Sequence, residues 1–172
     1  PFAGVNTDSI FLSATFTLTT ASAAGDYFIH LGDGGASNFN ARIYAKSSGS
    51  GFVMAMGTSS GSPVTYGTTE LSFNTPITLV ARYDFVAGAL NDTGALFINP
   101  ANAYGIGDTA YVAATTIGVD ATTISSVNLR QGSASNAPAV SVDALSVYTI
   151  PTPGSVALLG LAGLVAGRRR RA

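Results

Sequence analysis

The sequence contains no cysteine, no tryptophan, one histidine and one glutamate. Without cysteine the chain has no disulfide, no zinc–thiolate site and no thiol nucleophile. His30 is the one base that a Ser-His-Asp triad could use, no G-x-S-x-G stretch offers it a nucleophile, and its apolar neighbours are typical of a strand position. Glycoside hydrolysis usually needs two carboxylates, and nothing in the sequence pairs Glu70 with a second one. We therefore predict that the protein is not an enzyme.

Charged residues are also scarce, at 10% of 172 residues, against roughly 25% in a typical soluble domain. They are unevenly placed: residues 1–150 carry all nine acids but only four cations, a formal charge of −5, and the other four cations are Arg168 to Arg171. Phosphate binding needs clustered lysines and arginines, so we expect no nucleic-acid partner. The length suits one well-buried domain.

Apolar residues alternate with polar ones in several short segments separated by Gly, Ser, Asn and Asp. This period of two is clear in SIFLSATFTL, NARIYAKSS and ITLVARYDF, whose apolar faces are Ile10, Leu12, Ala14, Phe16 and Leu18; Ala41, Ile43 and Ala45; and Ile77, Leu79, Ala81 and Tyr83. Eight to ten such strands and no long amphipathic helix predict an all-β fold, an antiparallel sandwich, over residues 1–149.

The last predicted strand, AVSVDALSVYTI, changes phase. Val140 and Val142 share one face, whereas Leu145 and Val147 share the other. A phase change within one strand predicts a β-bulge near Asp143.

The order YFIHLGDG, ARIYAKSSGSGFVMAMG, TLVARYDF, LFINP and VDALSVY resembles the concanavalin A-like lectin/glucanase jelly roll, particularly its laminin-G-like bacterial relatives. The resemblance covers roughly Ile10 to Thr149. It implies a jelly-roll sandwich in which the late VDALSVY strand returns near the start of the sheet. It also implies glycan binding as a function, with a degenerate glycoside hydrolase as the least favoured alternative.

Laminin-G-like domains often carry one Ca²⁺, which prefers carboxylate, amide and carbonyl oxygens. The candidate calcium ligands in this sequence are Asp33, Asp84, Asp92 and Asp143. The alternative is that Asp33 and Asp92 are there for turn geometry, since aspartate is common in glycine-rich turns.

Carbohydrate binding in this fold uses aromatic and amide side chains on loops or on the concave sheet. The candidates in polar phases or turns are Tyr44, Tyr66, Asn38, Asn40 and Arg42. Tyr83 is a weaker candidate, because packing within its strand explains it first.

The chain after the last predicted strand has a different composition, with Pro151, Thr152 and Pro153, an apolar stretch from Ser155 to Gly167, and then Arg168, Arg169, Arg170 and Arg171. This order resembles the PEP-CTERM sorting signal, with Thr152 where the family has glutamate. The resemblance implies that residues 150–172 form a sorting signal with a short hydrophobic helix, recognised at the inner membrane by an exosortase.

The arginines that follow this apolar stretch favour contact with a membrane more strongly than its length does. Thirteen helical residues rise about 20 Å against a hydrocarbon core of about 30 Å, and the arginines would stay cytoplasmic. The alternatives are a permanent anchor or a helix packed on its own domain or on a neighbouring subunit. The chain begins at Pro1 without an apolar signal stretch, so we expect a mature or truncated form.

Together these features predict an exported bacterial protein of the cell surface or extracellular matrix that binds glycan or exopolysaccharide without catalysis. A self-assembling subunit of a filament or surface layer is the alternative, because low charge and threonine-rich strands suit close lateral packing. Such a homo-oligomer would have to manage its exposed strand edges.

Overall fold

The computed structural model describes residues 2–3, 8–34, 39–58, 64–115, 120–132 and 136–150. Every regular element in these ranges is a β-strand: β1 (Phe2–Ala3), β2 (Ser9–Thr20), β3 (Asp26–Gly32), β4 (Phe39–Ser48), β5 (Gly51–Gly57), β6 (Thr65–Tyr66), β7 (Ile77–Asp84), β8 (Thr93–Ile98), β9 (Val112–Thr115), β10 (Thr123–Ile124), β11 (Ser126–Leu129) and β12 (Ala139–Thr149). Within the same ranges no helix is long and apolar enough to span a bilayer.

The strands form two antiparallel five-stranded sheets and a short β1–β10 pair. The first sheet has the order β12-β2-β7-β8-β9, and the second has the order β11-β3-β4-β5-β6. One apolar core lies between the two sheets. The antiparallel β-sandwich predicted from the sequence is therefore confirmed, whereas the predicted C-terminal helix lies outside the described residues.

Period-two alternation builds the core, because successive side chains of a strand point to opposite faces. The apolar positions predicted on β2, β4 and β7 are all buried between the sheets. Phe16 of β2 meets Phe28 of β3 edge to face, with ring centroids 5.3 Å apart. This contact joins the first sheet to the second.

Strand β12 pairs with β2, so the last strand returns beside the first long one, as expected. The register shifts between Asp143 and Ser146, and Ala144 has a φ of 51°, a conformation that non-glycine residues rarely adopt. The predicted bulge is therefore confirmed. It leaves Leu145 41% exposed but returns Val147 to the core.

The outer face of the first sheet carries a small apolar cluster of its own. Phe11, Val80, Ala95 and Phe97 are buried there beneath Tyr104, Tyr148 and Ala110. Tyr148 lies at the end of β12 and its hydroxyl donates a hydrogen bond to the carbonyl of Ala103. The segment after β8 thus covers part of this face of the sandwich.

Candidate functional site

Three tyrosines line up across the outer face of the second sheet. The strand register pairs Tyr27 of β3 with Tyr44 of β4, Tyr44 with Ala55 of β5, and Ala55 with Tyr66 of β6. Paired residues of neighbouring strands share a face, so the three phenol rings lie on one side of the sheet. Alternation along β4 explains why the Tyr44 side chain points outward, because Ile43 and Ala45 on either side of it are buried in the core.

Cations lie over these rings. The guanidinium of Arg42 is 5.6 Å from the ring centroid of Tyr27 and 5.4 Å from that of Tyr44. The ammonium of Lys46 is 4.3 Å from the ring centroid of Tyr66, and the guanidinium of Arg130 is 4.2 Å from that of Tyr27. These distances are within the range of cation–π attraction. We call this surface the aromatic face, defined by Tyr27, Phe39, Tyr44, Tyr66, Arg42, Lys46 and Arg130.

His30 lies beside Tyr27 and Phe39 of the aromatic face. The ring centroid of His30 is 4.8 Å from that of Phe39 and 5.7 Å from that of Tyr27. Burial, together with the charges of Arg42 and Arg130, lowers the pKa of His30, so its imidazole is neutral at pH 7. His30 lies within β3, the strand position that its apolar neighbours predict.

The hydroxyls of Tyr44 and Tyr66 stay protonated at neutral pH. Burial raises the pKa of Tyr66 to about 12 and also raises the pKa of Tyr44. Both phenols therefore remain hydrogen-bond donors as well as acceptors. The Tyr66 hydroxyl approaches Gly25, where a Cβ atom would collide with it and where φ is +73°. Glycine at this turn thus leaves room for Tyr66 to lie over the sheet.

An ion pair fixes one end of the aromatic face. Arg130 Nη1 lies 2.7 Å from Asp26 Oδ1 and donates a second hydrogen bond, of 3.3 Å, to the Tyr27 carbonyl. Arg130 follows β11, which pairs with β3. The guanidinium is therefore held in place over Tyr27 by contacts with the first two residues of β3.

The predicted glycan-binding residues are partly brought together. Arg42, Tyr44 and Tyr66 share the aromatic face, whereas Asn40 is buried and only 4% exposed, so a ligand at the surface would not reach it. Asn38 lies outside the described residues. Tyr83 packs in the core between the sheets.

Four members of the aromatic face were not among the predicted binding residues: Tyr27, Phe39, Lys46 and Arg130. Lys46 shares the outward phase of Tyr44 on β4, so its position could have been predicted. The outward direction of Tyr27 does not follow from the alternation of its neighbours, because the β3–β4 register shifts between Tyr27 and Ile29. No local signal places Arg130, because its partner Asp26 is more than a hundred residues away along the chain.

The four predicted calcium ligands do not form one site, and no group of three acidic or histidine side chains in the described ranges could hold a metal ion. Asp84 lies at the end of β7 and Asp92 just before β8, both in the first sheet, whereas Asp33 follows β3 of the second sheet. Asp143 lies at the β12 bulge, where its carboxylate accepts a hydrogen bond from the Ala144 N–H at 2.7 Å.

The carboxylate oxygens of Asp84 and Asp92 take part in hydrogen bonds and an ion pair within the protein. Asp84 accepts from the Ser9 hydroxyl at 2.5 Å and pairs with Arg82 at 2.9 Å. Asp92 accepts from the Tyr83 hydroxyl at 2.5 Å and from the Val86 N–H at 2.8 Å. Through these contacts both aspartates help to hold the first sheet together. The calcium site remains a prediction.

A groove of about 570 Å³ lies on the outer face of the first sheet. Its polar groups include Arg82, which pairs with Asp84, and Asp108, whose carboxylate accepts a 3.1 Å hydrogen bond from the Ala101 N–H. Small residues and Phe97 form much of the remaining wall. Among the described residues, the groove is lined by one cation and one aromatic ring, whereas the aromatic face combines three cations with three tyrosines, so the aromatic face is the better candidate for ligand binding.

Comparison with known proteins adds evidence on the fold. No protein-family model and no curated protein matches the sequence. Among solved structures, the chain is similar to a Trypanosoma rangeli sialidase in complex with 2-keto-3-deoxy-D-glycero-D-galacto-2,3-difluoro-nononic acid, with a TM-score of 0.54 and 14% identity. The match covers 81% of this chain but 20% of the sialidase chain. At this identity the likeness shows a shared fold.

The predicted sorting-signal residues Pro151, Thr152, Pro153 and Arg168 to Arg171 lie outside the described residues. The last described strand, β12, ends at Thr149.

Proposed function

We propose that the chain is a glycan-binding β-sandwich domain and that the aromatic face is its binding surface. The observation that carries this proposal is the row formed by Tyr27, Tyr44 and Tyr66 on three strands of one sheet. Tyrosine combines a flat apolar ring with a polar hydroxyl, and it loses little conformational entropy on binding. The apolar face of a sugar ring would stack on such a ring while sugar hydroxyls bond to the phenol.

The sheet supports this function by holding the rings in place. Tyr27 and Tyr44 are in contact, with ring centroids 5.5 Å apart, and Arg42 lies over both. A surface fixed by strand pairing and ring contacts pays less ordering cost on binding than a mobile loop. We therefore place the ligand along the strands' outer side rather than at the loops.

The wider proposal is that this domain belongs to an exported bacterial surface or matrix protein without catalytic activity. The basis for export is the resemblance of residues 150–172 to a sorting signal, and exosortase is the processing partner that it implies. The basis for a non-catalytic role is the scarcity of catalytic side chains, because the sequence has one histidine, one glutamate and no cysteine. Hydrolysis usually needs two carboxylates positioned around the scissile bond.

Self-assembly through a sheet edge is the weaker alternative. In the described part of the chain β12 is an edge of the first sheet and is 11 residues long. Its bulge between Asp143 and Ser146 interrupts the ladder, and a charged residue stands at that point. Bulges and charges are the features by which natural proteins prevent edge-to-edge pairing.

Replacing Tyr44 with alanine tests the proposed function. We expect the Tyr44→Ala chain to bind its glycan roughly tenfold more weakly, because about 1.4 kcal/mol of stacking would be lost. Binding of the full chain to an array of immobilised polysaccharides measures this.

Tyr104→Ala is the matched control, since Tyr104 packs on Phe11 on the opposite side of the sandwich. It should leave binding unchanged. Equal loss in both variants, or no binding of the unaltered chain to any polysaccharide, would contradict the proposal.

A further inference from the structure

The cations of residues 1–150 are concentrated on one surface. Three of the four, Arg42, Lys46 and Arg130, belong to the aromatic face, and the fourth, Arg82, lies in β7 of the first sheet. The same residues carry nine acids. A domain that is acidic as a whole therefore presents most of its positive charge beside its tyrosines.

We propose that the ligand of the aromatic face is an anionic polysaccharide, one whose sugar units carry carboxylate or sulfate groups. This inference rests on the proposed function and adds the charge class of the glycan. Clustered cations raise the local concentration of an anionic ligand and steer its approach. Arginine guanidinium groups also match the geometry of carboxylates and sulfates through paired N–H donors.

The positions of the cations favour a polymer over a single small anion. Strands are spaced about 4.8 Å apart, so the row from β3 to β6 spans roughly 14 Å. Arg130 lies over Tyr27 at one end of the row, and Lys46 lies over Tyr66 at the other. A chain with repeated anionic groups would contact both ends at once.

Arg130 and Lys46 remain partly accessible while they contact the rings. The Arg130 side chain is 35% exposed although it pairs with Asp26 and donates to the Tyr27 carbonyl. A guanidinium has five N–H donors, so these two contacts leave donors for a ligand. Lys46 is half-buried over the Tyr66 ring and brings an ammonium with three donors.

The test compares acidic polysaccharides with their own neutral forms. Alginate, polygalacturonate, hyaluronate and chondroitin sulfate are immobilised beside the same polymers after carboxyl reduction or desulfation, and binding of the full chain is measured. We expect binding to one or more acidic polymers and roughly tenfold weaker binding to the matching neutral form. The double variant Lys46→Gln with Arg130→Gln should lose binding by a similar factor.

Arg82→Gln is the matched control. Arg82 also forms an ion pair, with Asp84 at 2.9 Å, and its side chain is 36% exposed, close to the value for Arg130. This variant removes one positive charge from the opposite side of the sandwich, where the double variant removes two from the aromatic face, and it should bind within about twofold of the unaltered chain. The charge-conserving variant Lys46→Arg should also keep binding. Thermal unfolding of each variant shows whether it has folded.

The outcomes separate this inference from the proposed function. Equal binding to acidic and neutral forms, with loss in Tyr44→Ala, would overturn the anionic ligand and keep the glycan site. Loss in Arg82→Gln as large as that in the double variant would overturn the inference as well, because net charge alone would explain it. No binding to any polymer would overturn both proposals.

Discussion

Replacing Phe16 with alanine is expected to lower the free energy of unfolding by about 3–5 kcal/mol, the range measured when a buried phenylalanine is truncated. Phe16 is fully buried and packs edge to face on Phe28 of the other sheet. The alanine would leave a cavity between the sheets that the surrounding strands can fill only in part. Urea denaturation of the full chain measures the loss.

The control for Phe16→Ala is Thr17→Ala, one residue further along β2. Thr17 points to the outer side of the first sheet and is only half-buried. Its truncation should change the free energy of unfolding by less than about 1 kcal/mol. Similar losses in the two variants would contradict the assignment of the β2 faces and, with it, the position of the core.

Replacing Asp92 with alanine should cost about 3 kcal/mol of stability, because buried donors would lose a charged acceptor. Asp92 is 2% exposed and accepts hydrogen bonds from the Tyr83 hydroxyl and the Val86 N–H. The Tyr83 hydroxyl also accepts a 3.1 Å hydrogen bond from the Ala121 N–H. The Asp92 carboxylate thus joins β7 and β8 to the segment that follows Asp120.

Asp143→Ala is the control for Asp92→Ala, since Asp143 lies on the exposed surface of β12. We expect a change within about 0.5 kcal/mol, as is usual for surface substitutions. Thermal and urea unfolding of both variants give the comparison. If Asp143→Ala lowered the free energy of unfolding as much as Asp92→Ala, burial and hydrogen-bond partners would not explain how much each aspartate stabilises the fold.

The fold follows closely from local sequence where alternation is regular. On β2, β4 and β7 every second residue is apolar, and each predicted inward residue is buried. The phase change in β12 was also informative, because a bulge was needed to keep both Val142 and Val147 packed on the core. Period-two patterns predict faces well since a one-residue slip would expose the whole apolar set.

The candidate site was only partly predictable. Arg42 and Tyr44 follow from the outward phase of β4, but nothing local joins them to Arg130. That residue reaches the aromatic face because β11 pairs with β3, a long-range contact. Sequence also does not show that the carboxylates of Asp84 and Asp92 accept hydrogen bonds from neighbouring strands. Such contacts depend on register and turn geometry rather than on residue type.

The central claim is that a glycan binds along the tyrosine row of the second sheet. Its most direct test is a nuclear magnetic resonance titration of the tyrosine rings of the full chain with an oligosaccharide cut from the polymer that it binds. We predict that the ring signals of Tyr27, Tyr44 and Tyr66 shift together, while those of Tyr104 and Tyr148 on the opposite side stay in place. Shifts confined to Tyr104 and Tyr148, with the three face tyrosines unchanged, would contradict the account.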